Sequence, residues 1–251
     1  MGTVAVFRSS PRKHGNTNTL TDIVTARLRQ EGLVVREYDL HGMDIRPCTA
    51  CRACQKDWRT VSCAQDDDMQ EIFRAVSESE LLILATPIYS WQCTPPMKAM
   101  LDRLVYAMNM YYSEERGPSL WEGKRVALIT TSGYPREQGP DLLEEGIRRY
   151  CKHSKLSYEG MLWGRHMGYA KEFLDEEKQT EAVAFAERLC APERVCPVCG
   201  KHVFEEEGAY EICPVCGWED DPVQKRDPDL AGGANNRSLN EARKEYYEND
   251  H

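Results

Sequence analysis

Apolar positions along the first 190 residues switch repeatedly between two periods. Residues 3–7 (TVAVF) form a short apolar run, and Leu20, Ile23, Val24 and Leu28 then recur at helical spacing. Residues 34–40 (VVREYDL) predict a second strand. Met69, Ile72, Phe73 and Val76 make the stripe of a helix that Asp68 and Glu71 are placed to cap reciprocally. Residues 81–85 (LLILA) are apolar throughout, as in a central parallel strand covered on both faces. Thr94, Pro95 and Pro96 open a helix with Met97, Met100, Leu101, Leu104 and Val105 on its inner stripe. A fourth strand is expected over residues 125–131, a helix over 142–150, a fifth strand over 156–163 and a closing helix over 173–189. Strands interleaved in this way with helices predict an α/β fold, a doubly wound five-stranded parallel sheet.

The alternation stops at Ala191-Pro-Glu-Arg, which divides the chain into domains at 1–190 and 193–251. The second stretch is turn-rich and carries two CPVCG boxes, a loop over residues 227–236, and Ser238 with Glu241 as a capping box for a helix over 239–248. Charge separates the two stretches. From Pro192 to the end there are 14 acidic against 7 basic residues, while the rest of the chain is nearly balanced within a total of −9. An acidic terminal module repels phosphate backbones, so nucleic acid is not an expected partner. No run approaches the roughly 20 apolar residues of a membrane span, and the N-terminus turns polar too soon for a secretory signal. A cytoplasmic location and no membrane partner are therefore expected.

Eight of the 11 cysteines fall into two CxxC-type clusters, which in a reducing compartment read as metal ligands rather than disulfides. Cys93, Cys151 and Cys190 stand alone and read as small buried side chains. Cys196, Cys199, Cys213 and Cys216 form two CPxCG knuckles separated by 13 residues, a spacing that completes a tetrahedral four-sulfur site. Zinc is the expected ion and iron the alternative. Cys48, Cys51, Cys54 and Cys63 follow the second strand; three tightly spaced cysteines and a fourth nearby match a [4Fe–4S] ligand run. The alternative is a loop of free thiols.

In a parallel sheet the loops after the strands gather on one edge, where ligands bind at the switch in strand order. The loop after the first strand holds Ser9, Ser10, Arg12, Asn16, Thr17 and Asn18 at a helix N-terminus, an anion site, and lacks both GxGxxG and GK[ST]. It suits a phosphomonoester, or else its hydroxyls merely cap the helix. Pro87, Ile88, Tyr89, Ser90 and Trp91 could flank a flat ring, or its aromatics could pack under the next helix. Thr131, Ser132, Gly133 and Tyr134 offer small polar groups and another aromatic.

The segments SSPRKHGNT, TPIYSWQCTPPMKAMLDR and TTSGY resemble the NAD(P)H-dependent FMN reductase and iron–sulfur flavoprotein group of flavodoxin-like proteins, in order and spacing across residues 1–190. The resemblance implies FMN, its phosphate on Ser9, Ser10, Arg12, Asn16, Thr17 and Asn18 and its ring against residues 87–91 and 131–134. It also implies NAD(P)H as electron donor, an unidentified acceptor, and a homodimer or homotetramer. Arg8 departs from the group, which often has glycine there, and the gap before Cys63 is longer than usual. Residues 210–248 resemble the cysteine-rich CPCC domain, with Val198 replacing its extra cysteine, so a small zinc-ribbon-like domain is expected. The reading is an FMN-dependent NAD(P)H oxidoreductase. An electron carrier built on FMN and iron is the first rival, and a flavin-binding sensor or docking protein the second.

Overall fold

The computed structural model describes residues 2–167, 173–190, 195–206 and 208–249. The break expected at Ala191-Pro-Glu-Arg lies outside the described residues. The chain divides into two compact units, Met1–Ala186 and Glu187–His251.

Up to Cys190 the chain alternates β1 (Thr3–Arg8), α1 (Asn16–Gln30), β2 (Val34–Asp39), α2 (Met69–Glu78), β3 (Leu81–Pro87), α3 (Pro95–Met108), β4 (Arg125–Ser132), α4 (Asp141–Ser154), β5 (Ser157–Arg165) and α5 (Glu176–Cys190), of which α5 extends past the unit boundary at Ala186. All four strand pairings are parallel, in the order β2-β1-β3-β4-β5. This is the flavodoxin-like order, with its switch point between β1 and β3. β1, β3 and β4 are buried along nearly their whole length, which explains their unbroken apolar runs. β2 is one of the two edge strands; its polar residues answer in ion pairs, Arg29 with Glu37 at 2.5 Å and Arg36 with Glu78.

The apolar stripe of α2 is buried as its spacing predicts: Met69, Ile72, Phe73 and Val76 all join the main core. The capping box expected at its start does not form. Asp68 has helical backbone angles and makes no cap hydrogen bond. Its carboxylate instead accepts from the Asp44 amide at 2.7 Å, and Asp67 accepts from the Met69 amide at 3.2 Å. On α3, Met97, Met100, Leu101 and Leu104 are buried as expected, whereas Val105 is only half-buried. Arg103 is buried on the same helix, which a purely apolar stripe does not anticipate.

The second unit has its own small core of Val198, Phe204, Trp218 and Leu239 around the four cysteines of the knuckles. Its helices are α6 (Pro222–Arg226) and α7 (Leu239–Asn249). Here the expected capping box is present: the Ser238 amide donates to Glu241 at 2.8 Å and the Glu241 amide to Ser238 Oγ at 3.2 Å. The loop between the two helices is held by the fully buried Gln224. Its amide nitrogen donates to the carbonyls of Leu230, Asn235 and Arg237 at 2.9–3.0 Å.

Candidate functional site

Three strand-end loops meet at the carboxyl edge of the sheet and are tied to one another by hydroxyls. The Ser9 amide donates to the Ala85 carbonyl at 2.8 Å, which brings the β1–α1 loop against the end of β3. Thr94, at the start of α3, donates to the Ser9 carbonyl at 3.0 Å and also meets the Ser9 hydroxyl. The Thr94 amide in turn donates to Thr86 Oγ1 at 3.1 Å. Thr17 and Thr131 share a hydrogen bond at 2.7 Å, joining the first turn of α1 to the end of β4. The Ile88 amide donates to the Thr131 carbonyl at 3.0 Å. Ser9, Thr17 and Thr131 are thus buried and engaged with the protein, while Arg12 and Lys13 stand exposed on the loop and Asn16 is half-buried.

The N-terminus of α1 has no side-chain cap and no acidic residue in its first turn, so its free amides and positive dipole end face the loop. Asn18 is buried, donates to the carbonyls of Arg12 and Lys13 at 3.0 and 3.2 Å, and leaves its Oδ1 without a partner. The backbone at Gly15 is closely approached: a Cβ there would lie 3.1 Å from the Arg12 carbonyl oxygen and 3.2 Å from Ser10 Oγ, a tight fit. Arg8 does not intrude where a glycine is usual. Its guanidinium pairs with Asp22 at 2.7 Å and with Glu37 on β2, and donates to the Asn18 carbonyl at 3.5 Å.

The aromatic rim is open. Tyr89, Trp91 and Tyr134 are 45%, 47% and 56% exposed, so the alternative in which the loop's aromatics pack beneath α3 does not hold. Trp91 and Tyr134 stack with ring centroids 6.1 Å apart and planes 25° from parallel. Ser90 and Trp91 have left-handed φ of 49° and 64°, an unusual backbone that presents the indole at the rim. Trp91 Nε1 donates to the Gln138 carbonyl at 3.0 Å. Trp163 Nε1 donates to Ser132 Oγ at 2.9 Å, and that hydroxyl donates to the Tyr134 carbonyl at 2.8 Å. Pro87 and Ile88 are half-buried at the end of β3, while Ser90 and Gly133 are exposed. Gln138 and Trp163 were not legible as part of this edge, because their partners lie 47 and 31 residues away in sequence.

Cys48, Cys51, Cys54 and Cys63 line one hollow together with Arg103 and Tyr106. No acidic side chain lines it. Ala50 and Arg52 have left-handed φ of 53° and 57° on either side of Cys51, so the loop turns sharply there. Gln55 fastens it to the segment that follows α3, donating to the Asn109 carbonyl at 3.0 Å and accepting from the Tyr112 amide at 3.1 Å. Cys51 is exposed; hydrogen bonds from the Ala53 amide and the Thr49 side chain lower its pKa. Burial pushes the Cys54 thiol up. Among the lone cysteines, burial raises Cys93 to about 11 and Cys151 to about 12, as inert core thiols require. Cys190 is half-buried.

In the second unit the ligand atoms of Cys196, Cys199, Cys213 and Cys216 all lie within 4.8 Å of one another, the one such set among the described residues. Cys196 and Cys216 sulfurs are 3.5 Å apart and those of Cys199 and Cys213 3.6 Å. A tetrahedron of sulfurs about 2.3 Å from a central zinc has edges of about 3.8 Å, so this set is already arranged for an ion. Each knuckle closes through a glycine with left-handed φ, 68° at Gly200 and 75° at Gly217. Their amides donate to the carbonyls of Cys196 and Cys213 at 3.0 and 2.9 Å. The cluster can hold a metal, and the four-sulfur, two-knuckle arrangement is consistent with a zinc-ribbon-like module.

No helix among the described residues is long and apolar enough to cross a membrane. Comparison with known proteins matches residues 3–139 to the NADPH-dependent FMN reductase family and residues 194–249 to the cysteine-rich CPCC domain. An iron–sulfur flavoprotein of Archaeoglobus fulgidus is 36% identical over 96 residues, covering 38% of this chain and 42% of that protein. A second from the same organism is 23% identical over 176 residues, covering 68% and 85%. The chain thus spans under half the length of the first relatives it matches, 42% and 47%. The solved NAD(P)H:quinone oxidoreductase of Methanothermobacter marburgensis superposes with a TM-score of 0.53 at 17% identity, over 75% of this chain and 95% of that one, a likeness of fold alone. A sheet edge of this build accompanies a family match that runs through β1, β3 and β4 and exceeds half of the 251 residues, and on that ground the chain belongs to the NADPH-dependent FMN reductase family.

Proposed function

We propose that the protein is an FMN-dependent oxidoreductase that takes hydride from NADH or NADPH and passes electrons to an acceptor still to be identified. The observation that carries this is the hydroxyl-linked meeting of three strand-end loops beside an uncapped helix N-terminus free of acidic residues. The residues there fit the cofactor. The α1 amides with Ser10, Arg12, Asn16 and Asn18 suit a phosphomonoester, and the orphaned Asn18 Oδ1 is an acceptor for a ribityl hydroxyl. Residues 87–91 and 131–134 supply the ring side, with Trp91 and Tyr134 as its exposed aromatic wall. Bound FMN supplies the hydride-accepting centre; the chain orients it and tunes its surroundings. The names of quinone-reducing relatives favour a flat, electron-poor acceptor that enters past the exposed rim.

A second reading is favoured by the hollow in which four cysteines gather without any carboxylate. Cys48, Cys51, Cys54 and Cys63 would hold a [4Fe–4S] cluster, making the protein a one-electron carrier like the relatives named iron–sulfur flavoproteins. In the second unit we assign zinc to Cys196, Cys199, Cys213 and Cys216, and we take residues 1–190 and 193–251 as separate domains. A homodimer or homotetramer is the expected assembly.

Anaerobic reconstitution of the full chain with FMN, followed by addition of NADH or NADPH, tests the primary reading. Stoichiometric yellow flavin bound and then bleached by a nicotinamide supports it. A chain that stays colourless, or bound flavin that neither nicotinamide reduces, removes it. Iron and sulfide analysis of the same sample separates the two readings.

A further inference from the structure

Arg103 is 2% exposed, so its charge is removed from water and must be answered by protein groups. One side is answered: Nη1 lies 2.5 Å from Asp67 Oδ2 and 3.3 Å from the Arg46 carbonyl oxygen. The other side is not used structurally in the ordinary sense. Nη2 donates to Cys63 Sγ at 3.2 Å, and Nε has no partner. A neutral thiol is a weak acceptor for a buried guanidinium, while a thiolate is a good one. Arg103 also lines the cysteine hollow itself. It lies nine residues along α3 from Thr94, about 13 Å by helical rise, so one helix carries both the flavin rim and this contact.

We infer that Arg103 is a positioning residue for a thiolate-bound centre in this hollow: it orients Cys63 as a ligand and raises the reduction potential of the cluster held there. This rests on the [4Fe–4S] reading given above. Cys63 follows the longest gap in the cysteine run and has the least local constraint from CxxC geometry. A guanidinium anchored by Asp67 supplies that constraint. Its positive charge and its hydrogen bond both favour the reduced, more negative cluster, so reduction becomes easier. The Asp67 carboxylate is itself fixed, accepting from the Arg46 and Met69 amides at 3.2 Å each, which keeps the guanidinium aimed at the sulfur.

The full chain would be reconstituted anaerobically with ferrous iron and sulfide, as wild type, Arg103→Lys, Arg103→Leu and the double variant Arg103→Leu/Asp67→Asn, which avoids leaving a lone buried carboxylate. Potentiometric titration of the cluster is expected to show a fall of at least about 59 mV in Arg103→Leu, tenfold in electron affinity, and smaller falls for lysine and for the double variant, in which loss of the Asp67 anion offsets loss of the cation. In wild type labelled with nitrogen-15 arginine, pulsed paramagnetic resonance of the reduced cluster is expected to show coupling to a guanidinium nitrogen. Equal potentials in all variants would overturn the role of Arg103 while leaving the cluster intact. If the leucine variants do not fold, absence of the nitrogen coupling in wild type overturns it instead. A wild-type chain that takes up neither iron nor sulfide removes both the cluster reading and this inference.

Discussion

Thr17 Oγ1 and Thr131 Oγ1 lie 2.7 Å apart and join two segments separated by 114 residues in sequence. The contact fixes the first turn of α1 against the end of β4, the two places where the phosphate and the ring of a bound flavin mononucleotide would be gripped. Thr131→Val leaves the Thr17 hydroxyl buried without this partner. A loss of about 1–3 kcal/mol in stability is expected, with FMN affinity weakened about tenfold. Denaturant titration and fluorescence titration with FMN measure the two effects. An unchanged affinity would separate this hydroxyl pair from the cofactor site.

Trp91 is held at the rim by its bond to the Gln138 carbonyl and by its stack on Tyr134. Trp91→Ala removes a stacking surface worth about 0.5–1.5 kcal/mol. FMN is expected to bind roughly threefold to tenfold more weakly and its fluorescence to rise, because a quenching indole is gone. Full quenching in the variant would exclude contact between Trp91 and the ring.

The carboxyl of Asp67 titrates against two opposing influences. Burial would raise its pKa, but hydrogen bonds and charge from Arg103, with the Arg46 amide, hold it below the usual carboxylate range. A carboxylate with a lowered folded-state pKa contributes stability above its unfolded value near 4, and that contribution disappears as pH falls through the folded value. Asp67→Asn is therefore expected to destabilise the protein at neutral pH and to flatten the loss of stability below about pH 4. Urea midpoints measured from pH 7 to pH 3 test this. Parallel curves for variant and wild type would contradict the role assigned to the carboxylate.

Removal of the ion from the four-sulfur site should unfold the second unit selectively. A structural zinc contributes about 10–16 kcal/mol of apparent binding energy, far more than the small core of Val198, Phe204, Trp218 and Leu239 can supply. Cys213→Ser or a strong chelator is expected to abolish near-ultraviolet signal from Trp218 while FMN binding persists. Released metal is expected to be one zinc per chain, read by mass spectrometry; stoichiometric iron would reassign the site as an electron relay.

Ser238 caps α7 reciprocally with Glu241, and Ser238→Ala is expected to cost about 1 kcal/mol. Thermal melting of the zinc-loaded chain, followed by helical signal, measures it. No shift would mean that α7 is held by Leu239 packing alone.

Local sequence was sufficient where the determining contacts lie within a few residues. The unbroken apolar runs of β1, β3 and β4, the stripe of α2 and the paired CPVCG knuckles all became the elements they predict, because covered strands, amphipathic helices and short metal loops are written in neighbouring positions. The Ser238 and Glu241 pair belongs to the same class. Asp68 and Glu71 carry an equally good local signal, yet the chain from Asp44 arrives to claim the Asp68 carboxylate.

Tertiary structure alone decided the matters of long sequence separation. That Ser9 turns inward to Thr94 rather than outward, that Trp91 stays at the rim against Tyr134, and that a buried arginine on α3 reaches Cys63 all depend on which loops the parallel sheet brings together. The sequence by itself determined the alternation of elements, the sulfur-rich knuckles and which loops follow the strands on one sheet edge. The folded chain decided which polar groups on that edge are consumed by one another and which remain free, because a hydrogen bond between Thr17 and Thr131 is set by strand order and register, not by the residues beside either one.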